Sequence, residues 1–300
     1  GFTFLIIKGT ADKIHAGADV KMFSGGLTLE QSPPDYEKIR AYLHNGTLLD
    51  LRIKKLSRKM TTVSMMEGER FGGSVEWPLM TQFSVASADA GISLSEPTIG
   101  IIPGWNGILN ILLKSGIANA LYLGTTCRRI GAQQMLEAGI VSAVASPETV
   151  MDTTLELAVT ATQSIGKSTS RVRFASEEEL FAILAQRMDT GRYHALAGEM
   201  KKAQETPGAD PKELSKTIDR RLEELGKPLA PLAIEGIFGL IARYGARLSG
   251  DQDDVIREMA LEEAALCDAL MKTHDRVTGI NSILKARENP LNKIALYKRC

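Results

Sequence analysis

The 300 residues carry 36 Lys+Arg against 36 Asp+Glu, so the formal net charge is zero. That balance lacks the basic excess of a nonspecific nucleic-acid binder, and no nucleic-acid partner is expected. With 44% hydrophobic and 24% charged residues, the composition is that of an ordinary globular chain and excludes a disordered one. The three cysteines, Cys127, Cys267 and Cys300, include no CxxC pair. Neither a disulfide framework nor a zinc knuckle is expected, and a reducing compartment follows: the cytoplasm, or an organelle matrix. The longest uncharged apolar stretch, Pro97–Leu113, is broken by Pro103, three glycines and two asparagines, which makes it a poor membrane span.

In chain order, Phe2–Lys8 reads as a short buried strand, ended by Gly9. Ile14–Asp19 (IHAGAD) reads as a loop, and the polar stretch Ser24–Pro34 as a surface loop. The spacing of Ile39, Leu43, Leu48, Leu51 and Leu56 predicts an amphipathic helix over Asp35–Leu56. Thr61–Met66 is a second buried strand that runs through Gly68 and Gly72–Gly73 into a helix from about Val75. The pattern recurs after Leu94, where SEPTIGIIPGWNG leads into a helix near Ile108–Lys114. Arg129–Val144 reads as a helix stopped at Gly139 and a closing strand. Beyond Ser146 strand signals vanish. Met151–Ser164, Ser176–Met188, Lys212–Leu225, Leu229–Leu248 and Asp254–Lys272 read as helices, with Thr206–Pro211 as a linker-like break. The organisation is an α/β layer over residues 1–147 and a helical region over 148–300.

Three features carry chemistry: AGAD (Ala16–Asp19), GGSVE (Gly72–Glu76), and Glu96 followed by IGIIPG (Ile99–Gly104). Amides at strand ends and helix starts have no intrahelical partner, so two such turns can hold negative charge on one oxygen. Glu76 at a helix start is favoured as an anion, whereas Glu96 between Leu94 and Ile99 is expected to gain proton affinity by burial. Two carboxylates in unequal surroundings can divide base and acid work. The plain alternative stands beside this one: a glutamate at a helix N-terminus is commonly a dipole partner, and a glycine pair a tight turn.

The motifs resemble those of the crotonase (enoyl-CoA hydratase/isomerase) superfamily. IHAGADVKMF is similar to its first oxyanion loop and GERFGGSVE to its second. SEPTIGIIPGWNG is similar to its PE-x-x-x-G-x-x-P-G-x-G-G segment, RRIGAQQMLEAGIVSAV to the stretch after the active site, and Leu261–Asn289 to its last helices. The resemblance implies a ββα spiral core with a C-terminal helical oligomerisation region. It makes Ala18 and Gly73 the oxyanion donors and Glu76 and Glu96 the catalytic pair, 20 residues apart as in the family. It places Gly104 where an amide holds the attacking water. Ala16, Asp19 and Trp105 become water- or substrate-binding candidates.

The implied activity is hydration of a 2-enoyl-CoA to a 3-hydroxyacyl-CoA, with Glu76 as base and Glu96 as acid. Double-bond isomerisation, thioester hydrolysis and a non-catalytic binding role on the same fold are the alternatives. Coenzyme A enters as part of the substrate, with no separate cofactor, no metal and no membrane. A homotrimer or hexamer is expected.

Several positions depart from the pattern: Ser74 for a third glycine, Glu69 and Arg70 for small or apolar residues, Ser95 for proline, and Trp105–Asn106 for a small residue and glycine. Glu69 and Arg70 are expected to pair with each other or with Glu67. Trp105 is either a core residue or a wall for a flat acyl group. The first strand–helix–strand unit of the fold is not seen ahead of Phe2, and residues 171–225 form an extra helical segment: a lid, an oligomer contact or a partner surface. Lys285 and Arg287 are either CoA-phosphate contacts or a solvated face, and Cys127 and Cys267 read as small core residues.

Overall fold

The computed structural model describes residues 3–9, 14–24, 34–161, 172–249 and 253–297. The early apolar run forms β1 (Phe4–Lys8), and the following Ile14–His15, expected as loop, pairs as the short strand β2. A 3-10 turn over Val20–Phe23 leads on to α1 (Tyr36–Ser57), whose start is fixed by Asp35 accepting a hydrogen bond from Lys38 N. Then come β3 (Thr61–Met66), β4 (Glu69–Phe71), α2 (Gly73–Leu79), β5 (Phe83–Ser87) and β6 (Gly91–Ser93). A 3-10 turn at Glu96–Ile99 precedes α3 (Gly107–Thr126), β7 (Ile130–Gly131), α4 (Ala132–Glu137) and β8 (Ala143–Ala145). Seven helices follow: α5 (Val150–Thr160), α6 (Glu177–Met188), α7 (Thr190–Glu205), α8 (Pro211–Leu225), α9 (Pro231–Tyr244), α10 (Asp253–Leu270) and α11 (His274–Leu284).

The strands sort into two sheets. One has the order β1-β3-β5-β8 and is parallel throughout. The other has the order β2-β4-β6-β7, parallel except for the antiparallel β6–β7 pair. Successive strands alternate between the sheets, so each turn of chain lays one strand in each. The strand β3 is buried along its whole length, as a strand covered on both faces requires.

One apolar core joins the two halves of the sequence. Ile39 and Leu43 of α1 share it with Leu109 and Leu112 of α3, Ile237 of α9 and Met259 of α10. The helix α3 is long and apolar enough to cross a membrane, yet it is the central core helix here, with Asn110, Ser115 and Asn119 buried along it. A single Asn119 amide bonds Ser115 Oγ at 2.8 Å and Val172 O at 2.8 Å.

The extra segment divides in two, with Arg171 outside the described residues. In α6, Leu180 and Leu184 join the main core. In α7 and α8, Tyr193, Leu196, Leu214 and Ile218 form a satellite core closed by Ile294. The α7 helix was not separated in the sequence reading. It is followed by the break at Thr206–Pro211, where Asp210 caps α8.

Candidate active site

A cavity of about 780 Å³ opens between the two glycine turns, α1, α10 and the α6–α8 segment. Ala16, Ala18, Gly73, Glu76, Glu96, Gly104 and Trp105 all line it. Asp19 does not. Its carboxylate accepts from Lys21 N at 3.0 Å and caps the Val20–Phe23 turn, so its part is to hold the turn behind Ala18.

The two amide turns touch. A Cβ added to Gly17 would lie 2.6 Å from Gly73 N and 3.0 Å from Phe71 O. One built on Gly73 would lie 3.9 Å from Ala18 N and 3.7 Å from Glu76 Oε2, so the two amides and one carboxylate oxygen surround a common point. Gly72 sits at φ 58°, ψ −134°, a conformation that favours glycine and turns the chain from β4 into α2. Ser74 explains its departure from a third glycine. Its hydroxyl lies 2.6 Å from His15 O and accepts from Phe71 N at 2.9 Å, tying one turn to the other. Arg276 holds the next turn, donating to Phe23 O at 3.1 Å and Ser24 O at 2.9 Å. Gly17→Ala is therefore expected to spread the two turns and, on the expectation that Ala18 and Gly73 are oxyanion donors, to lower kcat by about a hundredfold or more. Steady-state rates at unchanged melting temperature would check this.

Both glutamates are buried. Glu76 Oε1 accepts from Trp105 N at 2.8 Å and Gly107 N at 3.0 Å. Burial pushes its carboxyl up to about 7, opposed by the amides of Trp105, Gly107 and Gly104 and aided by the charge of Asp50. The Gly104 amide, expected to hold water, thus also faces the Glu76 carboxylate. Glu96 Oε2 has no hydrogen-bond partner, and Glu96 Oε1 approaches the Cβ position of Gly72 at 3.0 Å. Burial, then the charge of Glu76, raises Glu96 to about 8. The two acids therefore contend for a proton near neutrality.

Trp105 is a wall of the cavity and is also locked in place. Its Nε1 donates to Tyr42 O at 3.2 Å, its ring lies 4.7 Å from that of Tyr42, and any side chain on Gly46 would overlap it. Tyr42 lines the same cavity, and burial, followed by Glu76, Cys267 and Glu96, pushes its phenol up to about 12.

The expected pairing of Glu69 with Arg70 or Glu67 is corrected. Glu69 pairs with neither neighbour: it receives Arg129 Nε at 2.9 Å. Arg70 is buried, with its guanidinium 5.4 Å from the centre of the Trp77 ring, and it interacts electrostatically with Glu67, one of its expected partners. Pro78 lies in the last turn of α2, and its carbonyl accepts from Ser64 Oγ at 2.7 Å. Cys267 belongs to the main core and Cys127 packs against it, as expected, and both also line the cavity, whereas Lys285 and Arg287 do not line it. Among the described residues no cluster of His, Cys, Asp and Glu could hold a metal.

Four polar residues near the site escaped the sequence reading. Asp50 of α1 accepts from Asn106 Nδ2 at 2.8 Å and is salt-bridged to Lys54. Glu263 of α10 takes the Ile108 and Leu109 amides, both at 3.0 Å. Lys114, whose proton affinity burial lowers to about 7, donates to Thr81 O at 2.9 Å. The available signal was an acid inside an apolar helical stripe: Glu263 stands four residues from both Met259 and Cys267.

Two sheets wound in alternation define an α/β fold that brings two glycine-bearing amide turns and a buried carboxylate pair to one cavity. Residues 14–197 match the family model described as enoyl-CoA hydratase/isomerase, and the chain belongs to that family. Among solved structures it is similar to an enoyl-CoA hydratase from Rhodobacter sphaeroides 2.4.1, at 20% identity and TM-score 0.53 over 85% of this chain and 68% of that one. It is also similar to a carnitinyl-CoA dehydratase from Mycobacterium thermoresistibile, at 16% identity and TM-score 0.57 over 99% of this chain and 83% of that one. A shorter match, to subunit I of an enoyl-CoA hydratase from Geobacillus kaustophilus HTA426, is 30% identical with TM-score 0.34 over 37% of this chain; it spans less than half of that protein, 43%.

Proposed function

We propose that this protein hydrates a 2-enoyl-CoA to a 3-hydroxyacyl-CoA. The observation that carries the reading is the placement of two buried, mutually interacting glutamates on the cavity that also receives the Ala18 and Gly73 turns. The thioester oxygen sits between the two amides, which bind it more strongly as it gains enolate charge. A water stands between the carboxyl groups. Glu76 takes its proton as the oxygen bonds to C3, the C2–C3 π pair moves toward the thioester, and Glu96 delivers a proton to C2. Water adds across the double bond and no other reagent is consumed, so coenzyme A serves as the handle of the substrate. The proton finally resting on Glu76 and the charge on Glu96 are exchanged with solvent to reset the pair.

The same proposal carries a homotrimeric or hexameric assembly through the helical half, where Phe181 is 57% and Val159 69% exposed. It also carries a reducing compartment, the cytoplasm or an organelle matrix.

Product analysis tests the chemistry. Incubation with a 2-enoyl-CoA in oxygen-labelled water is expected to abolish the conjugated thioester absorbance and place one solvent oxygen on C3. Label-free product would mean isomerisation, and free CoA thiol would mean hydrolysis; either result overturns hydration.

A further inference from the structure

Asn106 stands where a glycine would serve the backbone at lower cost. It adopts the left-handed conformation, φ 69°, ψ 34°, which glycine accepts without strain and asparagine tolerates. Its side chain is buried, and its Oδ1 has no hydrogen-bond partner, an unfavourable arrangement in a core. What the side chain does make is one bond, Nδ2 to Asp50 Oδ2 at 2.8 Å. Asp50 is fully buried and also meets Asn110 Nδ2 at 3.3 Å and the Lys54 ammonium. The residues on either side of Asn106 are those whose amides meet Glu76: Trp105 N and Gly107 N converge on the single oxygen Oε1. Two amides separated by one residue reach one acceptor only if the chain reverses between them, and the left-handed turn at Asn106 supplies that reversal.

We propose that Asp50 and Asn106 form a positioning clamp for Glu76: the Asn106 side chain, anchored on the buried Asp50 carboxylate, holds the Trp105 and Gly107 amides on Glu76. The clamp rests on the reading of Glu76 as the base. Its two parts act in opposite directions. The amides stabilise the Glu76 anion, and the neighbouring anion of Asp50 opposes it. The other ionisable groups around the clamp and Glu76 are Tyr42 and Lys54 on α1, Glu96, Lys114 on α3, and Glu263 and Cys267 on α10; both variants leave these side chains in place, Asn106→Gly changes no charge, and Asp50→Asn also removes the charge that acts on Lys54, Lys114 and Glu263.

The test is a carboxyl carbon NMR titration of the full chain labelled at glutamate Cδ, with the Glu76 resonance identified by its loss in Glu76→Gln. Asp50→Asn keeps an oxygen for the Asn106 amide and removes the charge; the Glu76 midpoint is expected to fall by about half a pH unit to one unit. Asn106→Gly keeps the left-handed turn and removes the anchor; the midpoint is expected to rise as the amides loosen. Opposite shifts support the clamp, because a merely structural role moves both variants the same way. Shifts of one sign, or none in either variant, overturn it. Should Asp50→Asn not fold, a fall or no change in Asn106→Gly alone overturns it. Hydration rates measured in parallel separate the two readings. Opposite NMR shifts in a protein that hydrates no 2-enoyl-CoA would defeat the proposed reaction and leave the clamp standing.

Discussion

Glu76→Gln and Glu96→Gln are each expected to lower kcat for hydration by about 10² to 10⁴, the range of a positioned general base or acid. The Michaelis constant should change little, because the Ala18 and Gly73 amides, proposed to grip the thioester, remain. Glutamine has nearly the same volume as glutamate, so cavity shape is retained and the loss reports on proton transfer. The double variant should fall well short of the product of the single losses, since either substitution alone disables the shared water.

The wild-type profile of kcat/KM against pH should be a narrow bell. Activity rises as one carboxyl of the pair loses its proton, near 7, and falls as the second does, near 8. These limbs belong to the pair as a unit. Stopped assays across the range would check the profile. A flat profile, or wild-type turnover in both glutamine variants, would remove the acid–base assignment.

The elements that local pattern controls were legible. The run TTVSMM is apolar and short and becomes β3, and Asp35 with the following amphipathic repeat becomes α1. The resemblance of the glycine turns and the two glutamates to crotonase motifs implied one site, and the fold brings all four to one cavity. The short strands were not legible: Ile14–His15, Phe83–Ser87 and Gly91–Ser93 acquire their conformation from pairing with β4, β3 and again β4, not from propensity.

Nor was the true face of α1. Ile39 and Leu43 are buried as expected, but Leu48, Leu51 and Leu56 are only half-buried, and the buried stripe continues instead through Gly46, Thr47, Asp50 and Ile53. The reason is what packs there. Trp105 demands the missing side chain of Gly46, and the start of α3 presents Asn106 and Asn110, which call for a carboxylate at position 50. A polar core contact between residues 56 apart leaves no periodic trace in either helix. Pairing partners fail for the same reason: Glu69 meets Arg129 across the β4–β6–β7 ladder, a neighbour that only the sheet order supplies.

The acid pair should also weaken the fold as pH rises, and Glu96→Gln should reverse that loss. Glu96 has an ordinary value of 4.5 when the chain is unfolded and about 8 in the folded protein. Below 4.5 it is protonated in both states, and its contribution is at its most favourable. Between 4.5 and 8 the unfolded chain releases the proton while the folded chain retains it, so the native state binds more protons and stability declines with increasing pH. The decline ends once the folded carboxyl ionises, beyond 8. Glutamine cannot ionise in either state and escapes the penalty. The variant and wild type should therefore melt together at pH 4. At pH 9 the variant should be more stable by a few kcal/mol, a rise in melting temperature of several degrees. Thermal melts at the two pH values decide the matter: equal melting temperatures at both, or a less stable variant at pH 9, would mean that burial does not hold the proton on Glu96.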